Sequence, residues 1–242
     1  MSTLLAVLAL GFFLGMRHAT DPDHVIAVST IVARNRSTLG AAVIGAVWGL
    51  GHTFTIVLVG GAIIGFRWVI PARVGLSMEL AVGVLLIVLG IANVVAVLRS
   101  TRRAPRDPEL HPHTPDGAPL GWLDQRLGGL ALYKLVRPLI IGVVHGLAGS
   151  AAVALLVLTT IQSSALSLLY LALFGVGTIA GMMLITMAIS VPFTLTQNRL
   201  RPANQGLRLA SGVVSLAFGL FLAYQIGVVD GLFSAEPRWT PH

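Results

Sequence analysis

The chain has no cysteine. That excludes disulfides, thiolate metal ligands and any dithiol electron-transfer chemistry. Charge is almost as scarce: 10% of the 242 residues are Asp, Glu, Lys or Arg, and only nine are acidic. With a mean hydropathy of +0.87, this leaves essentially no room for a soluble domain and points to a polytopic membrane protein embedded in the lipid bilayer. No glycine-rich phosphate loop is present, so nucleotide hydrolysis by that route is excluded. No His-Glu-x-x-His sequence occurs and no Glu stands beside the histidines discussed below, which argues against a hydrolase and against enzymatic function generally. The first apolar run has no Lys or Arg before it, so a cleaved signal peptide is not expected. The net charge of +7 does not indicate nucleic-acid binding, because the basic residues gather in the short connections between apolar runs.

What is present is a series of long apolar runs. Hydropathy predicts six spans, at about 3–33, 38–66, 76–98, 138–161, 165–194 and 205–228. Of the sixteen basic residues, twelve fall in the odd-numbered connections: Arg34 and Arg36; Arg99, Arg102, Arg103, Arg106, Arg126, Lys134 and Arg137; Arg199, Arg201 and Arg208. The even-numbered side and the tail hold only Arg67, Arg73 and Arg238. Odd connections are therefore expected in the cytoplasm and both termini outside the cytoplasmic membrane. The expected organisation is a first three-helix unit over 1–98, a polar cytoplasmic loop over 99–137, and a second three-helix unit over 138–242. The loop is rich in Pro, Gly and charge, and His111 and His113 within it read as part of a solvated linker or as a metal-collecting arm.

Three pairs of segments repeat at nearly one offset. Gly15-x-x-His18 matches Gly142-x-x-His145, Trp48-Gly49-x-Gly51 matches Phe174-Gly175-x-Gly177, and Leu80-Ala81-x-Gly83-Val84 matches Leu209-Ala210-x-Gly212-Val213. With three spans in each half, the second half must enter from the opposite side. The predicted fold is an all-α, six-helix 3+3 inverted repeat, an architecture that places a binding site at the membrane midplane.

The first span carries an unusual polar centre, Arg17-His18-Ala19-Thr20-Asp21-Pro22-Asp23-His24. A carboxylate at mid-membrane costs about 2.5–3.5 kcal/mol on insertion scales. Two of them need a proton, a cation or a partner. Pro22 lacks the N–H that would reach the His18 carbonyl, so the first helix should break there. His18 and Asp21, and Asp21 and His24, are spaced to share a helix face. His18 and Asp23 converge only if the helix is distorted. Imidazole with carboxylate suits nickel, cobalt, copper or zinc rather than magnesium or calcium. Arg17 is a candidate to neutralise Asp21 or Asp23. His52, between Gly49, Gly51 and Thr53, and His145, in His145-Gly146-Leu147-Ala148-Gly149-Ser150, are candidate additions from the second and fourth spans. The candidate metal ligands are thus His18, Asp21, Asp23, His24, His52 and His145. Thr53, Thr55, Asn93, Gln162 and Glu79 read as hydrogen-bonding or interfacial groups.

The run His18-x4-Asp23-His24, preceded by Arg17 and followed by Val25, resembles the signature of the nickel/cobalt transporter superfamily. Gly51-His52-Thr53 resembles its second histidine motif, and His145 to Ser150 an element of its shorter members. The chain looks most like the six-span urease-accessory branch. It lacks the extra N-terminal span and the later acidic motifs of eight-span members. The resemblance implies that His18, Asp23, His24 and His52 bind metal, and that Ni2+ or Co2+ is the transported ion with no permanently bound cofactor. The expected activity is secondary uptake, with the two halves rocking about the ion. The alternatives are an exporter of a metal or small molecule, and a non-transporting accessory factor in the maturation of urease or another metalloenzyme. A homo-oligomer or a metallochaperone remains open as partner.

Overall fold

A computed structural model of the chain describes residues 2–33, 35, 37–66, 70–102, 131–146, 161 and 163–239. His111, His113, Gln162 and most of the run from His145 to Ser150 lie outside them. All regular structure among the described residues is helical, with no strand. The elements are α1 (Ser2–His18), α2 (Pro22–Val32), α3 (Thr38–Phe66), α4 (Ala72–Arg102), α5 (Ala131–His145), α6 (Ser164–Arg199) and α7 (Arg201–Tyr224), which continues into a π turn, Gln225–Val229. Among the described residues, four helices, α3, α4, α6 and α7 with its π turn, are long and apolar enough to cross a membrane. The apolar segments Leu5–His18, Pro22–Val32 and Leu135–His145 are shorter. Helices α4 and α5 reach farther into the 99–137 stretch than hydropathy predicts.

The first run is broken, as its proline requires, but the break lies just ahead of that residue. Helix α1 stops at His18, and Pro22 opens α2 at its first turn, where its missing N–H and fixed φ are favourable. Between them the backbone tightens. The Thr20 N–H donates to the Arg17 carbonyl (2.8 Å), and the Asp21 N–H donates to the His18 carbonyl (3.1 Å). The His18 carbonyl that Pro22 cannot serve is thereby satisfied, as an apolar environment demands.

Small residues set the packing. Gly11 faces Tyr170, Gly15 faces Phe174 and Thr178, and Ala19 lies on Gly181, so α1 runs parallel to α6. Gly45, Gly49 and Thr53 meet Met182, Ile179 and Gly175, so α3 runs antiparallel to α6. Gly142 lies on Trp48 and Gly146 on His52, which sets α5 parallel to α3. Gly83 and Gly90 face Gly219 and Gly212, pairing α4 with α7 in antiparallel sense.

These contacts are reciprocal. A Cβ on Gly15 would collide with the Phe174 carbonyl, and one on Gly142 with the Trp48 carbonyl. Gly51 abuts the Leu139 carbonyl and Gly177 the Phe12 carbonyl; Gly49 abuts Ile179 and Gly175 abuts Thr53. In each case the partners exchange under the sequence offset that relates the halves. The largest helix interfaces, α3 with α6, α4 with α7, α1 with α6 and α3 with α5, all join one half of the chain to the other. The halves are interleaved. Rocking of one half against the other, expected from sequence, would strip those interfaces, so it does not fit this packing.

The main core cluster gathers Ala27, Val28 and Val32 of α2, Trp48 of α3, Leu86 of α4 and Met182 of α6. Hydroxyl and amide groups inside are served locally or across helices. Thr55 donates to the Gly51 and Val143 carbonyls, Thr53 to the Gly175 carbonyl, and Ser215 to the Leu86 carbonyl. Asn93 donates to Ser211 Oγ and to the Arg208 carbonyl. Glu79 accepts from Trp239 Nε1 (2.8 Å), holding the C-terminal segment against α4.

Candidate metal centre

Four helices deliver the polar groups to one place. His18 is the last residue of α1, Asp23 and His24 lie in the first turn of α2, His52 is mid-way along α3, and His145 ends α5. The break between α1 and α2 is what lets His18 and the Asp23–His24 pair converge. His24, His52 and His145 are fully buried, and His18 is 5% exposed. The carbonyl end of α1 adds a partial negative charge favourable to a cation.

The contacts form a connected set. Asp21 Oδ2 accepts from His18 Nδ1 at 2.9 Å. With that nitrogen committed as donor, His18 Nε2 keeps a lone pair, and it lies 2.7 Å from His52 Nε2. Asp23 spans two rings, its Oδ1 3.1 Å from His24 Nδ1 and its Oδ2 3.1 Å from His145 Nε2. Carboxylates bonded to the far nitrogen of an imidazole fix its tautomer and orientation, the arrangement that tunes metal-binding histidines.

What the hydrogen bonds leave over is informative. Among the described residues, the buried His24 Nε2, His52 Nδ1, His145 Nδ1 and Trp48 Nε1 have no hydrogen-bond partner. A neutral imidazole offers one donor and one acceptor, and each orphan costs about 1–3 kcal/mol. A folded protein keeps such a cost for a purpose, and metal ligation is the purpose imidazole nitrogens serve best.

Spacing agrees with that chemistry. His18, His24 and His52 each bring a ligand atom within 4.8 Å of the other two, and so do Asp23, His24 and His145. The ring centroids of the first three lie 4.7, 4.8 and 5.0 Å apart. With metal–nitrogen bonds of about 2.0–2.1 Å and roughly 1.1 Å more to the ring centre, rings sharing one ion at 90–110° are separated by about 4.5–5.2 Å. The triad already has that spread.

Five of the six candidate ligands, His18, Asp23, His24, His52 and His145, therefore meet. Asp21 is placed differently. It stands at the N-cap position of α2, where its side chain makes no capping bond, and it holds His18 from behind, as their three-residue spacing allows. Arg17 does not neutralise either carboxylate: it is exposed at the surface, and the ion-pair partners of Asp21 and Asp23 are histidines. The helix ends at His18, and the turn that follows leaves Arg17 facing outward.

Two aromatic residues complete the wall and were not singled out from sequence as part of the site. Trp48 stacks on His24 (6.1 Å, 14°) and meets His145 edge-on (5.4 Å). Phe174 lies 5.6 Å from His18. Their signal was present in the repeat, since Trp48 and Phe174 occupy matching positions, as do His145 and His18.

The family of high-affinity nickel-transport proteins (NicO) matches residues 4–230. The urease accessory protein UreH of Bacillus sp. (strain TB-90) is 37% identical over 230 residues, which is 95% of this chain and 96% of that protein. No solved structure matches.

Proposed function

Because the chain belongs to the NicO family of high-affinity nickel-transport proteins, we propose that it is a multi-pass secondary transporter moving nickel or cobalt inward across the cytoplasmic membrane. The family is one of transporters and accessory proteins rather than enzymes. The ion is substrate, not resident cofactor. The observation that carries the reading is the buried meeting of His18, His24 and His52 with their spare nitrogens, backed by Asp21 and Asp23. In hydrocarbon such a group is stable only with a dication to coordinate or with every nitrogen bonded, and His24 Nε2 and His52 Nδ1 have no partner among the described residues.

In this reading a hydrated ion sheds water onto His18 Nε2, His24 Nε2 and His52. Asp21 and Asp23 hold the first two rings by their Nδ1–H groups, so those Nε2 lone pairs face the ion. His52 Nε2 joins them by moving its proton to Nδ1. The chain is a six-span inverted repeat, with α1 and α2 as one broken span, α5 opening the fourth, and both termini outside. The reciprocal glycine contacts support that symmetry. Access alternates by movement of the α4–α7 pair against α1, α3, α5 and α6, because that division keeps the α1–α6, α3–α6 and α3–α5 interfaces intact and leaves α2, which touches α4, α6 and α7, at the joint.

The name of the relative from Bacillus favours delivery of nickel to an enzyme such as urease as the purpose of transport. It also supports a second reading, a non-transporting accessory factor. Purified full-length protein in liposomes separates the two. Ni2+ accumulation that is lost in His24→Ala establishes transport by this site. Absence of accumulation by the wild type supports the accessory role.

A further inference from the structure

The buried groups fall into two mutually close sets rather than one. His52 and His145 ring centroids are 6.5 Å apart, so one ion could hold both only as opposite ligands, not as adjacent ones. Two sets of three satisfy mutual proximity instead, His18–His24–His52 and Asp23–His24–His145. They share His24 alone. Its ring stands edge-to-face against His18 (4.7 Å) and against His145 (4.4 Å). Its Nδ1 faces Asp23, while its Nε2 has no hydrogen-bond partner among the described residues. The second set has its own spare group, His145 Nδ1, which is buried and has no partner among the described residues.

We propose that the ion occupies two successive coordination positions, first His18–His24–His52 and then Asp23–His24–His145, with the His24 imidazole, through an in-plane ring nitrogen, the ligand common to both. This rests on the transporter reading above. The first position is all nitrogen, supplied by α1, α2 and α3. The second exchanges two imidazoles for one imidazole and a carboxylate, and brings in α5. Sharing His24 makes the positions mutually exclusive, so only one ion is held at a time. The step between them is short and never leaves the ion without a ligand, which avoids a bare dication in hydrocarbon. The change from three nitrogens toward mixed nitrogen and oxygen also weakens the hold on a borderline-soft ion, which favours release after the second position.

The test uses purified full-length protein in detergent with Co2+ as probe, read by d–d absorption and X-ray absorption, beside liposome transport. The wild type binds one Co2+ per chain. His145→Ala retains one Co2+ in an all-nitrogen set, whereas His52→Ala retains one Co2+ with a carboxylate oxygen added. Both lower transport at least tenfold, and His24→Ala binds none. His145→Gln, which can still donate to Asp23, controls for folding and behaves as His145→Ala. The inference is overturned if the His52 and His145 variants give the same ligand set, or if either abolishes Co2+ binding while His145→Gln remains folded. A wild type that binds and transports Co2+ alongside such variants leaves the transporter reading standing. A wild type that binds no Co2+ overturns both.

Discussion

Asp23→Asn is the most discriminating single change in the site. The carboxylate accepts from His24 Nδ1 and His145 Nε2, both at 3.1 Å. An amide is nearly isosteric but offers only one acceptor oxygen, so one of the two rings faces an NH2 group instead. One hydrogen bond to a charged acceptor is lost, worth about 1.5–3 kcal/mol. If His24 is the ring released, its Nε2 no longer points at the ion reliably, and loss of such an orienting partner lowers metal affinity about 10- to 100-fold. The two estimates agree, since a hundredfold corresponds to about 2.7 kcal/mol. Titration calorimetry of Ni2+ into purified wild type and variant, with helicity followed by circular dichroism, measures this directly. The expected result is unchanged helicity, one ion per chain and a Kd raised 10- to 100-fold. A variant that binds within twofold of wild type would refute the role assigned to Asp23.

Three further outcomes are expected. Protons compete with the ion for His18, His24 and His52, whose imidazoles must be neutral to bind; Ni2+ affinity should therefore fall on acidification, and an affinity that rises as pH is lowered counts against imidazole ligation. Gly142→Ala and Gly177→Ala should each destabilise by about 1–3 kcal/mol, because the new methyl meets backbone carbonyls of Trp48 and Phe12; Gly61→Ala, with nothing within 4 Å, should be neutral or stabilise by up to ~1 kcal/mol, and equal melting shifts for all three would contradict the packing. Because the chain lacks cysteine, single thiols at exposed positions report topology: Ala235→Cys should react with an impermeant maleimide in intact cells and Ser37→Cys only after permeabilisation, with the reverse pattern inverting the proposed orientation.

Much of the site was legible in the chain because its chemistry is costly. Asp23, His18 and His24 stand out where hydrocarbon tolerates few such groups, and Pro22 announces the break that lets them meet. His52 and His145 were legible through glycine context and the repeat. Asp21 was harder, since its spacing fits a shared face on a continuous helix, and only the interruption at Ala19–Asp21 turns its carboxylate behind His18. Arg17 misled for the same reason: adjacency in sequence suggested pairing, while the end of α1 carries it outward. Trp48 and Phe174 read as ordinary apolar residues because a stacked wall depends on which helices adjoin. The helical fold followed from hydropathy, but the interleaving did not, because span counting says nothing about which helix faces which.

That interleaving bears on how the protein comes into being. As the chain leaves the ribosome, α1 to α4 enter the bilayer with their glycine notches facing lipid, since the helices that fill them have not yet been made. Neither His24 nor Asp23 has His145 beside it until α5 arrives, and α1 and α3 have no common neighbour until α6 does. Assembly must therefore wait for the last third of synthesis, and a truncated first half would persist as loose helices rather than as a small folded unit.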